Sequence, residues 1–247
     1  MPNNPLDHIQ NIPILGLHVH KITMQQTLEA IDFFVKSGNP HHVITLDASM
    51  CVTARSDAEL HSIVSTAELI TPDSIGVIWA CKRSGNPLPE RVSGVEIVEK
   101  VCSIAAEKCY RIYFFGSGPG VAQDAANQML AKYPGCNIVG VHDGFYTPDE
   151  EPSIVQKIAA AKADILCVAL GIPRQEKFIA RHRDKLNASV MIGVGGTFDV
   201  HSGRVKRAPM IFQKLNLEWL YRTISNPKKI SKAMTLPKFV SLILRGK

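Results

Sequence analysis

A general base must be ionisable, fixed, and set where an attacking hydroxyl can reach it. Asp73, in the run ITPDSIG (70–76), meets the part of this that a sequence can show, because it lies directly after a strand-like segment and opens a loop-rich region. Taken alone, a Pro-Asp-Ser turn argues for structure over chemistry, since Asp side chains in such turns ordinarily bond their own backbone. Other polar residues fall at comparable places. Thr45 and Asp47 end an apolar strand, Arg91 stands in PERVSG between a proline and a glycine turn, and Gln175 with Glu176 and Lys177 follows ALGIPR where a helix begins. Each is ordinary by itself. Together they put polar side chains at the carboxyl ends of several strands, where one pocket would need them.

Two glycine-rich turns add a possible anion site. FFGSGPGVAQ (114–123) reads as strand, turn and helix, an arrangement that receives phosphate at a helix amino terminus. Gly116, Gly118 and Gly120 give G-x-G-x-G, and Val121 stands where a dinucleotide fingerprint has its third glycine. Asp143 follows at a distance suited to a ribose, so an NAD(P)-dependent oxidoreductase stays open beside a nucleotide-indifferent tight turn. In GVGGTFDVHSG (193–203), the amides of Gly195, Gly196 and Thr197 could receive a ribose or diphosphate, and Asp199 needs a partner. A helix cap by Thr197 or Asp199 is the competing reading.

The elements that must hold these residues are legible from about residue 42 onward. HVITL (42–46), RIYFF (111–115), NIVGV (137–141), ADILCVAL (163–170) and SVMIGV (189–194) are too apolar for a solvated face. Amphipathic stretches lie between them, such as 119–133 and 173–186, the second opening with Pro at an expected first helical position. This alternation predicts an α/β fold with a mostly parallel sheet under flanking helices. ILGLHVHKI (14–22) predicts an edge hairpin ahead of a helix at about 24–36, and 71–94 reads as a loop over one end of the sheet.

With 247 residues and 45% hydrophobic content, the chain can bury one substantial core. Its six cysteines show neither C-x-x-C spacing nor zinc-ligand partners, which predicts reduced thiols and no metal site. The amino terminus lacks a basic and then apolar signal pattern, and no stretch is long enough to span a membrane, so the expectation is a cytoplasmic protein. No carboxylate pair in D-x-D spacing follows a strand, and G-x-S-x-G, H-E-x-x-H and Walker A patterns do not occur.

Charge divides the chain at about residue 203. Residues 204–247 hold eleven Lys/Arg and one acid, Glu218, whereas the preceding residues hold seventeen basic and twenty-one acidic side chains. We therefore expect a catalytic core over 1–203 and a basic appendage over 204–247 that meets an anionic partner. The last segment combines six basic residues with Ile230, Met234, Leu236, Phe239, Val240, Leu242, Ile243 and Leu244, which favours an interfacial membrane helix over one docked on the core. A non-catalytic nucleic-acid-binding role for the tail is disfavoured, because aliphatic residues, not aromatics, separate its cations.

Over nearly its whole length the chain resembles the WecG/TagA/CpsF glycosyltransferases. The resemblance rests on PDSIGVIWACKRSGNPLPERVSG, VALGIPRQEKFI, GVHDGFY and above all GVGGTFDVHSGRVKRAPMIFQKLNLEWLYR. It implies a Rossmann-like core of the GT-E type and a carboxyl-terminal appendage that reaches the inner face of the bacterial plasma membrane and completes the active site. It further implies inverting, metal-independent transfer from a UDP-sugar, typically of the N-acetylmannosamine type, to a polyprenyl-diphosphate-linked N-acetylglucosamine. The family's catalytic base falls on Asp73, its Thr-x-Asn pair on Thr45 and Asp47, its active-site Arg on Arg91 and its Gln on Gln175. The nucleotide is expected near Phe145 and the 195–199 turn with Asp199, alongside Gly116 and Gly118. Lys206, Arg207 and Arg222 are the tail cations expected to meet the departing diphosphate. Two residues depart from the pattern: Asp47 replaces Asn, and Ser74 replaces the Gly after the catalytic Asp.

Overall fold

The apolar runs become the strands of one six-stranded, all-parallel sheet in the computed structural model, which describes residues 4–205 and 235–246. The strands are β3 (His41–Leu46), β4 (Leu69–Pro72), β5 (Arg111–Gly116), β6 (Asn137–His142), β7 (Ile165–Ala169) and β8 (Val190–Gly193), in the order β4-β3-β8-β7-β5-β6. The hairpin, β1 (Asn11–Ile14) and β2 (Leu17–His20), forms a separate antiparallel pair and does not extend the sheet. Leu15 and Gly16 turn it with φ of 49° and 83°, the backbone that a two-residue hairpin loop requires.

Alternate strand residues feed opposite layers. Val43, Leu69, Ile112, Phe114, Ile165 and Ile192 pack under α1 (Met24–Ser37), α5 (Gly94–Lys108), α6 (Val121–Lys132) and Phe198 of α9 (Thr197–His201). On the other face, Leu166, Val168 and Met191 meet α7 (Glu151–Ala160) and α8 (Arg174–His182). Beside them Ile44, Leu46 and Ile70 meet the hairpin, α2 (Ala48–Ala54), α3 (Ala58–Ser65) and α4 (Ile75–Arg83). Burial on both faces explains why the strands read as continuous apolar runs.

Three expectations need correcting. The 71–94 region is not all loop: Ser74 caps α4, and Gly76, Val77, Ala80 and Cys81 bury one face of that helix. Pro173 precedes α8 as its cap residue and is not its first helical residue. The carboxyl-terminal helix, α10 (Thr235–Leu244), packs against α2 and α4, with Phe239 fully buried and Leu236, Leu242 and Ile243 against the same core. Four of the eight apolar residues assigned above to an interfacial helix thus face the protein. Lys206, Arg207, Arg222 and the helix-like segment at 213–224 lie outside the described residues.

All six strands run the same way, so their carboxyl ends gather at one end of the sheet. The connection leaving β3 runs outward to the edge strand β4, whereas β8 is reached from β7 on the opposite side. Ligands of open α/β sheets bind in the crevice beyond the carboxyl ends of the strands, and at β3 and β8 the segments after β4 and β7 flank that place.

Candidate active site

Asp73 is fixed from both sides at the end of β4. Its amide donates to the Leu46 carbonyl at 3.0 Å, and the neighbouring Pro72 carbonyl accepts from Val92 N at 2.9 Å. Oδ1 of Asp73 accepts from Gly94 N at 3.0 Å. Gly94 opens α5, where amides have no partner within the helix, so the half-buried carboxylate meets the positive end of a helix dipole. Ser93 caps the same helix, and the sequence reading, which took RVSG as part of a loop, missed this Ser-Gly start.

Gly94 also marks where three strand ends converge. A Cβ there would lie 3.4 Å from Thr45 Cγ2, 3.5 Å from Thr197 Oγ1 and 3.5 Å from Val194 Cα. Asp73, Thr45 and Thr197 are therefore gathered around one backbone position. Buried Thr45 donates to the Gly193 carbonyl at 2.7 Å, tying β3 to β8, and Thr197 donates to the Val194 carbonyl at 2.6 Å. Neither Thr197 nor Asp199 caps α9; that place is held by Gly196, without a side-chain bond. Asp199 sits half-buried on α9, and its carbonyl accepts from Val205 N at 2.9 Å. Arg91 stands on the segment whose Val92 pairs with Pro72, and its Nη2 lies 3.6 Å from Glu96 Oε1.

Both departures from the family pattern are helix caps. Oδ1 of Asp47 accepts from Met50 N at 2.7 Å and from Ser49 Oγ at 2.8 Å, closing the start of α2. Ser74 Oγ accepts from Ala48 N at 3.1 Å and from Val77 N at 3.4 Å, joining the starts of α2 and α4. An Asn at 47 would cap equally well, so the Asp adds charge without adding structure.

Gln175, only 1% exposed, pins two turns together. Its Oε1 accepts from Gly171 N at 3.1 Å and Gly195 N at 3.0 Å, and its Nε2 donates to Glu176 Oε1 at 2.7 Å. Lys177 turns the other way, to Asp57 and Glu59 at 2.8 Å each, and those hydrogen bonds raise its pKa. The Gln-Glu-Lys run thus divides between the crevice and the α3–α8 contact.

Gly116, Gly118 and Phe145 form a second group beyond β5 and β6. Gly116 has φ of 124°, and a Cβ would stand 2.5 Å from the Ala169 carbonyl, so no other residue fits. Ser117 N donates to Ala169 O and Gly144 N to Ser117 O, both at 2.8 Å, linking this turn to the end of β7. Phe145 is 74% exposed, and its backbone amide donates a hydrogen bond to Asp143 Oδ1 at 2.9 Å. That carboxylate, considered above for a ribose, closes the local turn through Oδ1. A cleft of about 240 Å³ lies between Gly120, Ala122 and Gln123 at the start of α6 and Val141, His142 and Asp143 after β6. Arg204 reaches the same helix start, with Nη2 2.6 Å from Asp124 Oδ2 and Nη1 3.2 Å from Pro119 O, a clasp the sequence did not signal. Among the described residues no group of three or more His, Cys, Asp or Glu is arranged to hold a metal ion.

Residues 12–247 match the glycosyl transferase WecG/TagA/CpsF family. A Bacillus spizizenii protein named N-acetylglucosaminyldiphosphoundecaprenol N-acetyl-beta-D-mannosaminyltransferase is 34% identical over 203 residues, covering 82% of this chain and 78% of the relative. Its Bacillus subtilis namesake shows the same identity and coverage. A Staphylococcus aureus protein of that name is 32% identical over 238 residues, 96% of this chain and 93% of its own. Matched by that family from the hairpin to its last residue, the chain belongs to the glycosyl transferase WecG/TagA/CpsF family and is a glycosyltransferase.

Proposed function

We propose that the chain transfers an N-acetylmannosamine-type sugar from a UDP-sugar to a polyprenyl-diphosphate-linked N-acetylglucosamine, with inversion, in the assembly of a cell-envelope polysaccharide. The observation that carries this reading is the placement of Asp73: a carboxylate held by the Gly94 amide at the mouth of the crevice where Thr45 and Thr197 converge. The names of the relatives supply the acceptor and the sugar. In the proposed step an acceptor hydroxyl attacks the anomeric carbon on the face opposite UDP, and Asp73 takes its proton. The bond from the anomeric carbon to the diphosphate oxygen breaks, and UDP leaves with the electron pair. Lys206, Arg207 and Arg222 meet the charge that develops on it, a role that cationic groups commonly perform for departing phosphates. Phe145, Gly116 and Gly118 bound the nucleotide side, and the protein works at the inner face of the membrane that carries its acceptor. No helix of the described residues is long and apolar enough to cross a membrane.

The test is release of UDP from a panel of UDP-sugars, with and without a lipid-diphosphate-N-acetylglucosamine analogue. We expect UDP-N-acetylmannosamine to support release that depends on the acceptor. Failure of every UDP-sugar, or turnover of a nicotinamide cofactor instead, overturns the reading.

A further inference from the structure

We infer that the exposed side of α4, together with α10 beside it, forms a composite surface for an anionic lipid bilayer, with Trp79 as its aromatic anchor. This rests on the reading of a membrane-borne acceptor and extends it to residues of the core. Gly76, in the first turn of α4, faces α10: a Cβ there would lie 3.5 Å from both Leu236 Cδ1 and Phe239 Cε1. Residues three and seven positions further on lie along the same side of a helix. These are Trp79 and Arg83, so both border the α10 contact.

Trp79 is 38% exposed, and Lys82 and Arg83 beside it are exposed. On α10, the burial of Leu236, Phe239 and Ile243 turns Lys238 outward, and Leu244 is 55% exposed next to exposed Arg245. Four cations thus accompany an exposed Trp and Leu, and neither α4 nor α10 contains an acidic residue. A merely soluble surface mixes the two signs of charge. Cations around an exposed tryptophan suit a headgroup layer, where the indole sits at the apolar boundary and the cations meet anionic lipid. A nucleic acid would also attract the charge, but the exposed aliphatic Leu244 and the single aromatic ring give stacked bases little to hold.

The location relates to the chemistry. Ser74, which caps α4, follows Asp73 directly, so the helix that would lie on the bilayer starts at the proposed base. A lipid-linked acceptor would then need to rise only from the edge of this surface to reach the crevice.

The experiment is sedimentation of the full chain with vesicles of phosphatidylcholine containing 30% phosphatidylglycerol, with vesicles of phosphatidylcholine alone and a single-stranded oligonucleotide as comparisons. Trp79→Ala and the double variant Lys82→Glu/Arg83→Glu should each lower partitioning onto the anionic vesicles, the double variant by about tenfold or more. A control, Lys100→Glu/Lys157→Glu, makes the same change of charge at exposed positions on α5 and α7 and should lower it far less. UDP release with a water-soluble acceptor, measured on the same preparations, should stay at the parent level in all variants. That assay reports on the transferase reading separately, since its failure in the parent protein sinks that reading whatever the vesicles show. Undiminished sedimentation of the α4 variants, an equal loss in the control pair, or oligonucleotide binding in place of vesicle binding overturns the proposed surface.

Discussion

Replacing Gln175 by Ala should destabilise the whole fold as well as disturb the site. The side chain is 1% exposed and makes three hydrogen bonds, from Gly171 N, from Gly195 N and to Glu176 Oε1. Truncation leaves two amides without this acceptor and removes a donor from a buried carboxylate. A neutral hydrogen bond contributes about 1 kcal/mol and one to a charged group about 1.5–3 kcal/mol, so the unrelaxed loss is about 3.5–5 kcal/mol. Water entering the polar space that the amide vacates would recover part of this, leaving about 2–4 kcal/mol. For a chain of this length each kcal/mol moves the melting temperature by about 2–4 °C, so a fall of roughly 5–15 °C is expected. Thermal unfolding followed by circular dichroism measures it directly. Gln175→Glu sharpens the test, because it keeps an acceptor for the two glycine amides but sets a second carboxylate against Glu176, and it should also be destabilised near neutral pH. A Gln175→Ala protein that melts within about 2 °C of the parent would refute the view that this residue pins the two turns.

Further outcomes follow from the same geometry. Asp73→Asn keeps an oxygen for the Gly94 amide, so it should fold and bind UDP as the parent does while turnover falls by about two to four orders of magnitude; near-parent turnover removes Asp73 from the mechanism. Transfer should persist in excess EDTA, because no D-x-D pair follows a strand; abolition by EDTA with rescue by Mg²⁺ or Mn²⁺ would reveal a required metal. Asp47→Asn should keep the cap on α2 and leave the melting temperature unchanged, whereas Asp47→Ala should cost about 1 kcal/mol; equal effects would contradict the cap assignment. Burial lowers the pKa of His42 to about 3, and burial with His18 nearby lowers that of His20 to about 4. Both values lie below the unfolded value, so each histidine contributes stability that is present above about pH 6.5 and is lost as pH falls, at up to about 1.4 kcal/mol per pH unit. Urea unfolding at pH 7 and pH 5 should show this decline, and His42→Phe should reduce its slope by about half; a flat parent profile counts against it.

Parallel strands were easy to read in this chain because a strand covered on both faces has no polar alternation to dilute it. RIYFF and ADILCVAL announced β5 and β7 in this way. The four-residue β4 was visible only as a strand-like run before Asp73, being too short to show a period. The missed helix α4 has a different cause. Its nine residues sit between Pro72 and the Gly85, Pro87 and Pro89 punctuation, which dominates a reading of 71–94. The signal that could have found it is Ser74 ahead of a stripe at Gly76, Val77, Ala80 and Cys81. In α10 the sequence favoured lipid for an apolar face that packs on protein. Leu236, Phe239 and Ile243 have the spacing of one apolar face, and that spacing is the same whether the face meets lipid or protein. Only the receiving groove distinguishes the two, and here Ala48 and Gly76 leave room between α2 and α4 for the Phe239 ring.

The polar residues that the sequence gathers at the strand ends are not equivalent reporters of catalysis. Thr45 joins β3 to β8, Asp47 closes α2, and Gln175 holds the turns after β7 and β8 together. Loss of activity after deleting any of these would follow from displacement of the crevice walls alone, because a misplacement of about 1 Å around a reacting centre can cost about a hundredfold in rate. A substrate contact at these positions is shown only by a variant that preserves the structural bond and changes the chemistry, as Asn does at 47. Asp73 admits the cleanest such substitution. The bond from Gly94 constrains where its side chain lies, and Asn satisfies that bond while removing both the charge and the capacity to take a proton. A fall in turnover with unchanged melting temperature and UDP affinity therefore isolates the carboxylate's chemistry from its place in the fold.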